Sequence, residues 1–317
     1  METRKVAIIG VGHVGAHVAY TLMMQGLVNE LLLIDKNEQK VASECQDLRD
    51  AAMYCPYHVN VHVADYSELK DVEIIINAVG KVILLETLNR WTELDYTIDQ
   101  VNEVVPKIMA SGFHGKIVSI TNPCDIITRQ VSKLSGLPWG HVFGTGTGLD
   151  TSRLISALSM QTGVDHKSIS AYMMGEHGDK QMVPWSLVSF GGMPLDAMAK
   201  VDEKYVFDRD AMQTTAIKGG WATFVGKKCT EYGIAGTAAR IVRIMMNDEK
   251  AIIPASIELR GEYGESGGLF IGVPCLIGKD GVEKIIEMPL SPDEKQKFHE
   301  CCEGIRVNMT KNDKILK

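Results

Sequence analysis

The 317-residue chain lacks the features that mark a membrane protein, a nucleic-acid binder or a disulfide scaffold. No apolar run reaches the about 18 residues that a transmembrane helix needs. Met1-Glu2-Thr3-Arg4-Lys5 leads into a strand-like segment without a signal-peptide hydrophobic region, so no leader is expected. Basic runs are missing too: 33 Lys and Arg stand against 40 Asp and Glu, a net charge of −7, which argues against a nucleic-acid footprint. The seven cysteines form no C-x-x-C pair, and adjacent Cys301 and Cys302 suit neither an ordinary disulfide nor a chelate. Reduced thiols in a cytoplasmic protein, and no metal site, are expected. No internal repeat, low-complexity segment or Pro/Gly/Ser linker interrupts the chain. What remains is 45% hydrophobic residues and a mean hydropathy near zero, enough core for one large α/β domain or two sharing an interface.

The first half carries a nucleotide-binding pattern. Lys5-Val6-Ala7-Ile8-Ile9 reads as a buried parallel strand running into Gly10-Val11-Gly12-His13-Val14-Gly15. Val14, Val18, Leu22 and Gly26 then recur at helical spacing. A glycine turn between strand and helix is the setting of the dinucleotide fingerprint. Gly10 permits the turn, Gly12 lets a pyrophosphate approach the backbone, and Gly15 lets helix and strand pack closely. The helix N-terminus then meets the phosphates with unpaired N–H groups and a positive dipole end. A second strand, Leu31–Ile34, ends in Asp35, twenty residues after Gly15. A carboxylate there can accept both adenosine ribose hydroxyls and would repel a 2′-phosphate, which predicts NAD rather than NADP. Strand candidates at Val59–Val63, Glu73–Ala78 and Lys116–Thr121 alternate with helical pattern, predicting a doubly wound parallel sheet. The ends Asn77-Ala78-Val79-Gly80 and Thr121-Asn122-Pro123 should face the cofactor, because ligands bind at the carboxyl ends of such strands.

Val82-Ile83-Leu84-Leu85 follows, apolar where a loop at the cofactor edge is expected. It reads either as buried core or as a lid whose apolar residues face substrate while Arg90 swings in on closure. Near residue 141 the pattern changes. His141–Gly144 reads as a last strand, and Asp150 and Arg153 stand at a helix start, where Asp150 could be only a cap. His177, between Gly175-Glu176 and Gly178-Asp179, offers an imidazole suited to proton transfer on a backbone that can turn tightly.

Together these motifs resemble the L-lactate/L-malate dehydrogenase family over essentially the whole chain. The resemblance rests on Gly10–Gly15, Asp35, Thr121-Asn122-Pro123-Cys124-Asp125, Leu149-Asp150-x-x-Arg153 and Gly175-Glu176-His177-Gly178-Asp179. Their wording looks closest to the L-2-hydroxyisocaproate dehydrogenase branch and to L-lactate dehydrogenase. The resemblance implies a Rossmann domain (residues 1–143) followed by a mixed α/β substrate domain (144–317). His177 would give a proton to the substrate oxygen and reclaim it in the oxidative direction. Asp150 would accept the other ring N–H and fix the tautomer, and Arg90 would polarise the ketone. Arg153 would hold the substrate carboxylate with two parallel hydrogen bonds, and Asn122 would donate to the substrate oxygen beside the nicotinamide. Thr230 falls on a substrate-pocket position. Lys40, Tyr66, Gly80, Val14 and Thr121 join the glycine turn and Asp35 as implied cofactor contacts. A homodimer or homotetramer is the associated assembly.

The departures from the family pattern concern substrate and regulation. Malate-specific relatives carry an additional Arg in the lid, and here Lys81 but no Arg lies between Gly80 and Arg90. The position where lactate enzymes commonly carry Gln is Ile83 counted from Gly80, or Leu84 counted back from Arg90. Either is apolar. A second carboxylate buried there would be costly, whereas alkyl groups gain about 0.8 kcal/mol per buried methylene. An apolar 2-oxo acid substrate is therefore expected. The alternatives are malate dehydrogenase and a non-catalytic NAD-binding structural protein. The two positions that bind fructose bisphosphate in some bacterial relatives are Ile155 and Ser170 here, and neither supplies positive charge. Adding the bisphosphate should therefore leave the half-saturation concentration for the oxo acid unchanged in steady-state assays; a drop would refute this.

Overall fold

The computed structural model describes residues 4–81, 84 and 91–316. Six short strands, β1 (Lys5–Ile9), β2 (Glu30–Ile34), β3 (Asn60–Val63), β4 (Ile74–Asn77), β5 (Lys116–Ser119) and β6 (Val142–Gly144), pair in parallel in the order β3-β2-β1-β4-β5-β6. The helices α1 (His13–Met24), α2 (Glu38–Ala51), α3 (Trp91–Ala110) and α4 (Cys124–Ser135) make the crossovers. These strands are apolar on both faces because both faces are covered. Val6, Ile8, Leu31, Leu33, Ile74 and Ile76 join one core cluster. Their neighbours Ala7, Ile9, Leu32, Ile34 and Ile75 join the other, as the two-residue period of a strand requires. The strand order reverses at β1 and β4, which opens a crevice beyond their carboxyl ends.

The second half begins with α5 (Gly148–Thr162), followed by the two-residue strands β7 (Ile169–Ser170), β8 (Met174–Gly175), β9 (Gln181–Met182), β10 (Ser189–Phe190) and β11 (Met193–Pro194). Then come α6 (Leu195–Met198), α7 (Arg209–Lys227), α8 (Tyr232–Asn247), β12 (Ala251–Glu258), β13 (Phe270–Gly278), β14 (Gly281–Ile285) and α9 (Pro292–Asn308). Ser291 and Glu294 form a capping box at the start of α9, with Pro292 as its first residue.

The β-rich runs Ala251–Glu258 and Gly268–Ile277, which read as building a sheet of the substrate half, pair with each other as β12 and β13, and β12 also joins β6 through Ser256 opposite Gly144. One mixed sheet of eleven strands therefore spans both halves, with β8 and β9 beyond β13. The physical reason is edge protection: β6 ends the parallel set, and an added antiparallel strand satisfies its outer backbone groups. Strands β11, β10 and β7 form a separate small sheet. Helix α8 returns across the first half, where Ala238, Ile241, Val242 and Met245 are buried in the same cluster as Val18 and Leu22 of α1.

The turn after β1 is built by contact distance. Gly10 has φ +93°, and a Cβ on Gly15 would lie 2.0 Å from the Gly10 carbonyl oxygen, so α1 rests directly on the turn. A Cβ on Gly12 would meet nothing within 4 Å. The two glycines should separate on substitution. Gly15→Ala should lose about 1–3 kcal/mol of stability by overpacking, read from urea unfolding. Gly12→Ala should stay within about 0.5 kcal/mol yet weaken NADH binding, read from nucleotide fluorescence.

Candidate active site

A cleft of about 350 Å³ lies at the carboxyl ends of the parallel strands. Gly12, Val14 and Gly15 line it from the glycine turn, and Lys40 from the first turn of α2. Gly80 follows the end of β4, and Thr121 and Asn122 follow the end of β5. The β4 and β5 ends are tied together: Asn77 Nδ2 donates to Ser119 Oγ at 3.2 Å, and Thr121 Oγ1 donates to the Asn77 carbonyl at 3.2 Å. The peptide bond Asn122–Pro123 is cis. Gly10 and Asp35 stand behind the wall. Asp35 accepts hydrogen bonds from Val11 N at 2.7 Å and Asn37 N at 2.9 Å, which pins the glycine turn to the end of β2.

Tyr66, like Gly10 and Asp35, does not line the cleft. Its ring packs against the apolar cluster that includes Leu69 and Ile98, with the Lys107 ammonium 5.7 Å from its centroid. Burial, helped by Glu103 and Asp35, pushes its phenol up to about 12.

The opposite wall carries the charged group. β8 and β9 form a hairpin with Gly175 opposite Gln181, and Glu176 N donates to the Lys180 carbonyl at 2.8 Å. Gly175 has φ +113°, and a Cβ there would lie 2.7 Å from the Lys180 carbonyl oxygen. His177 sits at this tip, hung from the main sheet by the pairing of Gly175 with Gly272 in β13. Its Nδ1 lies 2.6 Å from Asp150 Oδ2. Asp150, in the first turn of α5 and 1% exposed, accepts from Arg153 at its other oxygen at 3.0 Å. Asp150 is thus no simple helix cap. Arg153 runs along α7, where a Cβ on Gly220 would come within 3.2 Å of its guanidinium. His177, Arg153 and Thr230 all line the cleft.

Part of the expected substrate lid, including Ile83, Leu85 and Arg90, lies outside the described residues. Leu84 is half-buried, and its amide donates to the Lys81 carbonyl at 3.0 Å.

Several contributors escape a reading of the sequence alone. Glu93, buried in the first turn of α3, accepts from Lys81 N at 3.0 Å and holds the chain leaving β4. Ile234 belongs, with Ala238, Ile241, Val242 and Met245, to a helical apolar stripe that reads as core or subunit interface, yet it lines the cleft with Trp221 and Phe224 of α7. Glu231 is buried between Lys227 Nζ at 2.6 Å and His13 Nδ1 at 3.4 Å. Burial opposes its ionisation, but Lys227 and the two histidines His17 and His13 hold its carboxyl below the usual range. Cys124 and Cys229 also line the cleft, but burial pushes their thiols up to about 12 and about 11, so neither offers a thiolate near neutrality. Asp125, present in a family motif but given no role there, is fully enclosed and accepts from His177 N at 2.8 Å and from Ser256 Oγ at 2.5 Å. Helical or strand periodicity signals none of these, since each acquires its part only from burial beside distant segments.

Comparison with known proteins agrees with this geometry. Residues 4–144 match the lactate/malate dehydrogenase NAD binding domain, and residues 147–315 match the alpha/beta C-terminal domain of the same family. The chain belongs to the lactate/malate dehydrogenase family. It is 37% identical to an L-lactate dehydrogenase of Fusobacterium nucleatum subsp. nucleatum over 100% of both chains. It is 40% identical to L-lactate dehydrogenase 1 of Bifidobacterium longum subsp. longum, covering 96% of this chain and 97% of the other. Among solved structures, a lactate dehydrogenase from a Medee basin deep-sea metagenome library superposes with TM-score 0.92 at 31% identity, covering 98% of each chain. The ligand-bound minor L-lactate dehydrogenase of Enterococcus mundtii superposes with TM-score 0.90 at 34% identity, covering 96% of this chain and 97% of that one. The protein is thus an oxidoreductase acting on the CH–OH group of 2-hydroxy acids.

In this dehydrogenase Asp125 also leaves a mark on stability. Burial pushes its carboxyl up to about 7 from an ordinary 3.8, against the hydrogen bonds from Ser256 and His177. Between those two values the folded chain holds a proton that the unfolded chain releases. That contribution is complete below the unfolded value and is lost as pH rises through the folded one. Stability relative to Asp125→Asn should therefore fall between about pH 5 and 7, by at most about 1.4 kcal/mol per pH unit, and level off above. Urea midpoints of both proteins across that range measure it, and parallel curves would contradict it.

Proposed function

We propose that the protein is an NAD-dependent L-2-hydroxy acid dehydrogenase for substrates with an apolar side chain. It would interconvert pyruvate and L-lactate, or 2-oxoisocaproate and L-2-hydroxyisocaproate. The observation that carries this reading is the contact of His177 Nδ1 with Asp150 Oδ2 at 2.6 Å, with Arg153 on the same carboxylate and the group across the cleft from the glycine turn. NAD fits that turn: Gly12 leaves space a Cβ would occupy, and Asp35 at the end of β2 favours ribose hydroxyls over a 2′-phosphate. Gly10, Gly12, Val14 and Gly15 would hold its pyrophosphate. Lys40 and Tyr66, with Asp35, would serve the adenosine end, and Gly80, Thr121 and Asn122 the nicotinamide end. Bound there, the cofactor supplies the hydride.

The remaining work falls to side chains. With Nδ1 on Asp150, His177 carries the transferable proton on Nε2 and gives it to the substrate oxygen. Asp150 compensates the imidazolium charge and orients the ring. Arg153 binds the substrate carboxylate through its planar fork. Asn122 donates to the substrate oxygen, and Arg90 polarises the carbonyl, by the family pattern. The substrate side chain would meet Ile83, Leu84 and Thr230. Trp221, Phe224 and Ile234 make the described part of that wall apolar, which supports a preference for alkyl groups.

The domain boundary at 143/144, a cytoplasmic location and self-association belong to the same proposal. The free thiols support the location. Tyr20, Met24, Tyr54 and Tyr57, exposed along α1 and just after α2, offer an apolar face for a homodimer or homotetramer.

A panel of 2-oxo acids assayed with NADH tests the reading. Pyruvate and 2-oxoisocaproate should be reduced with far higher kcat/KM than oxaloacetate; an oxaloacetate preference would make the enzyme a malate dehydrogenase. His177→Asn should bind NADH normally and lose about 10²-fold or more in kcat.

A further inference from the structure

The glycine turn carries a side chain that backbone recognition of phosphate does not require. His13, the first residue of α1, lines the cleft, and its side chain is 63% exposed. Its Nδ1 lies 3.4 Å from Glu231 Oε1, so Nε2 is the ring nitrogen open to a ligand. Glu231 immediately precedes α8. Its carboxylate is buried behind the cleft wall, and its other oxygen accepts from Lys227 Nζ at 2.6 Å. The groups around this pair are engaged with one another. Lys227 Nζ stands 3.7 Å from the centroid of the Tyr232 ring. His17, one turn along α1, donates from Nδ1 to the His13 carbonyl at 2.7 Å and sets its ring edge-on to Tyr232 at 5.3 Å. Lys40, from α2, lines the same cleft. A buried carboxylate thus backs an imidazole at the cofactor wall, as Asp150 backs His177 at the opposite one.

We infer that His13 is a proton-linked contact for the cofactor's diphosphate: it takes up a proton from solvent as the dinucleotide binds and donates from Nε2 to a phosphate oxygen, while Nδ1 stays on Glu231. The inference rests on the reading of the glycine turn as the dinucleotide site. The charges around His13 are opposed. Glu231 attracts a proton to the ring, whereas Lys227 and the positive end of α1 repel it. A diphosphate at the helix start adds negative charge on the attracting side, and α1 has no acidic residue in its first turn to oppose that anion. No bond of the cofactor changes; one proton moves from solvent to the ring. Affinity should therefore fall as pH rises through the range in which imidazoles lose their charge, about pH 5 to 8, by at most about ten-fold per pH unit. Because the contact is to the diphosphate, ADP-ribose, which lacks the nicotinamide, should behave as NADH does.

The test is isothermal titration calorimetry of the full-length enzyme with NADH and with ADP-ribose, from about pH 6 to about pH 8.5. Two buffers of different ionisation enthalpy read the protons exchanged. The wild type should bind both ligands about five- to twenty-fold more weakly at the alkaline end and take up protons on binding. His13→Gln should abolish both the slope and the uptake, with a Kd close to the alkaline wild-type value. The side chain is exposed, so this variant should fold, and thermal unfolding checks it. Glu231→Gln should move the slope to lower pH, and His177→Asn should leave it in place. The inference is overturned if wild-type affinity is independent of pH, or if His13→Gln keeps the wild-type slope. It is also overturned if Glu231→Gln leaves the slope where it was, or if NADH shows the slope and ADP-ribose does not. Binding without proton uptake removes this inference alone. If the wild type binds neither ligand, the dinucleotide reading of the glycine turn falls and takes this one with it.

Discussion

A carboxylate as enclosed as that of Asp150 cannot stay ionised unless positive charge and hydrogen bonds meet it where it stands, since the effective penalty of an uncompensated buried ion is several kcal/mol. Both of its oxygens are engaged, one by His177 and one by Arg153. That demand draws together the start of α5 and a hairpin tip 27 residues further along the chain. It also sets the electrostatics of the cleft. The carboxylate is met by the Arg153 guanidinium and the His177 imidazole, both of which line the cleft. A 2-oxo acid brings one carboxylate and gains negative charge on its carbonyl oxygen as hydride arrives. On the proposed reading, Arg153 and His177 meet that charge from positions held before substrate enters.

Such an arrangement is useful only if its distance from the cofactor is held. The continuous sheet does this. From the glycine turn after β1, hydrogen-bonded neighbours lead through β4, β5, β6, β12 and β13 to β8, whose Gly175 precedes the His177 tip. Two close approaches keep the ends of this path in place. Gly15 lets α1 sit on the turn, and Gly175 lets the hairpin fold against Lys180 and Gln181. Glu93 and Asp35 then pin the chain segments that leave β4 and enter the glycine turn. Glu93, Asp35 and Asp125 thus share one task, accepting main-chain N–H groups where the chain changes direction.

Much of this was legible from residue order. β1, β2 and β4 announce themselves as Ile-, Leu- and Val-rich runs because both of their faces are buried, and the glycine turn is legible because its conformation and contacts exclude larger side chains. His177 and Asp150 were paired from family motifs that chemistry also demands, and they meet in the fold. The limits have physical causes as well. The union of β12 with β6 rests on a pairing of Ser256 with Gly144, residues far apart in the chain, and neither strand's composition names its partner. β14 is short and mixed in polarity, and the two-residue strands β7 to β11 carry no periodicity at all. Ile234 fits a helical apolar stripe, but a stripe does not tell a cleft wall from a core. Asp125 and Glu93 acquire their partners only through tertiary burial, which residue order does not show.

The residues proposed for the chemistry and those proposed for selectivity sit on different supports. His177, Asp150, Arg153 and Asn122 stand on strand ends, a helix start and a braced hairpin, whereas Trp221, Phe224, Thr230 and Ile234 belong to α7, α8 and the chain between them. The separation shapes what such a wall can discriminate. An apolar pocket distinguishes alkyl groups weakly, by about 10- to 200-fold per methylene, so preference along a series of chain lengths should be graded. A second carboxylate is another matter: against an apolar wall it loses its solvation without gaining a partner. On the proposed reading the enzyme is therefore permissive toward the length of an alkyl side chain and strict toward its charge. That combination follows from the absence of an Arg between Gly80 and Arg90 together with the apolar side chains of Trp221, Phe224 and Ile234 that line the cleft.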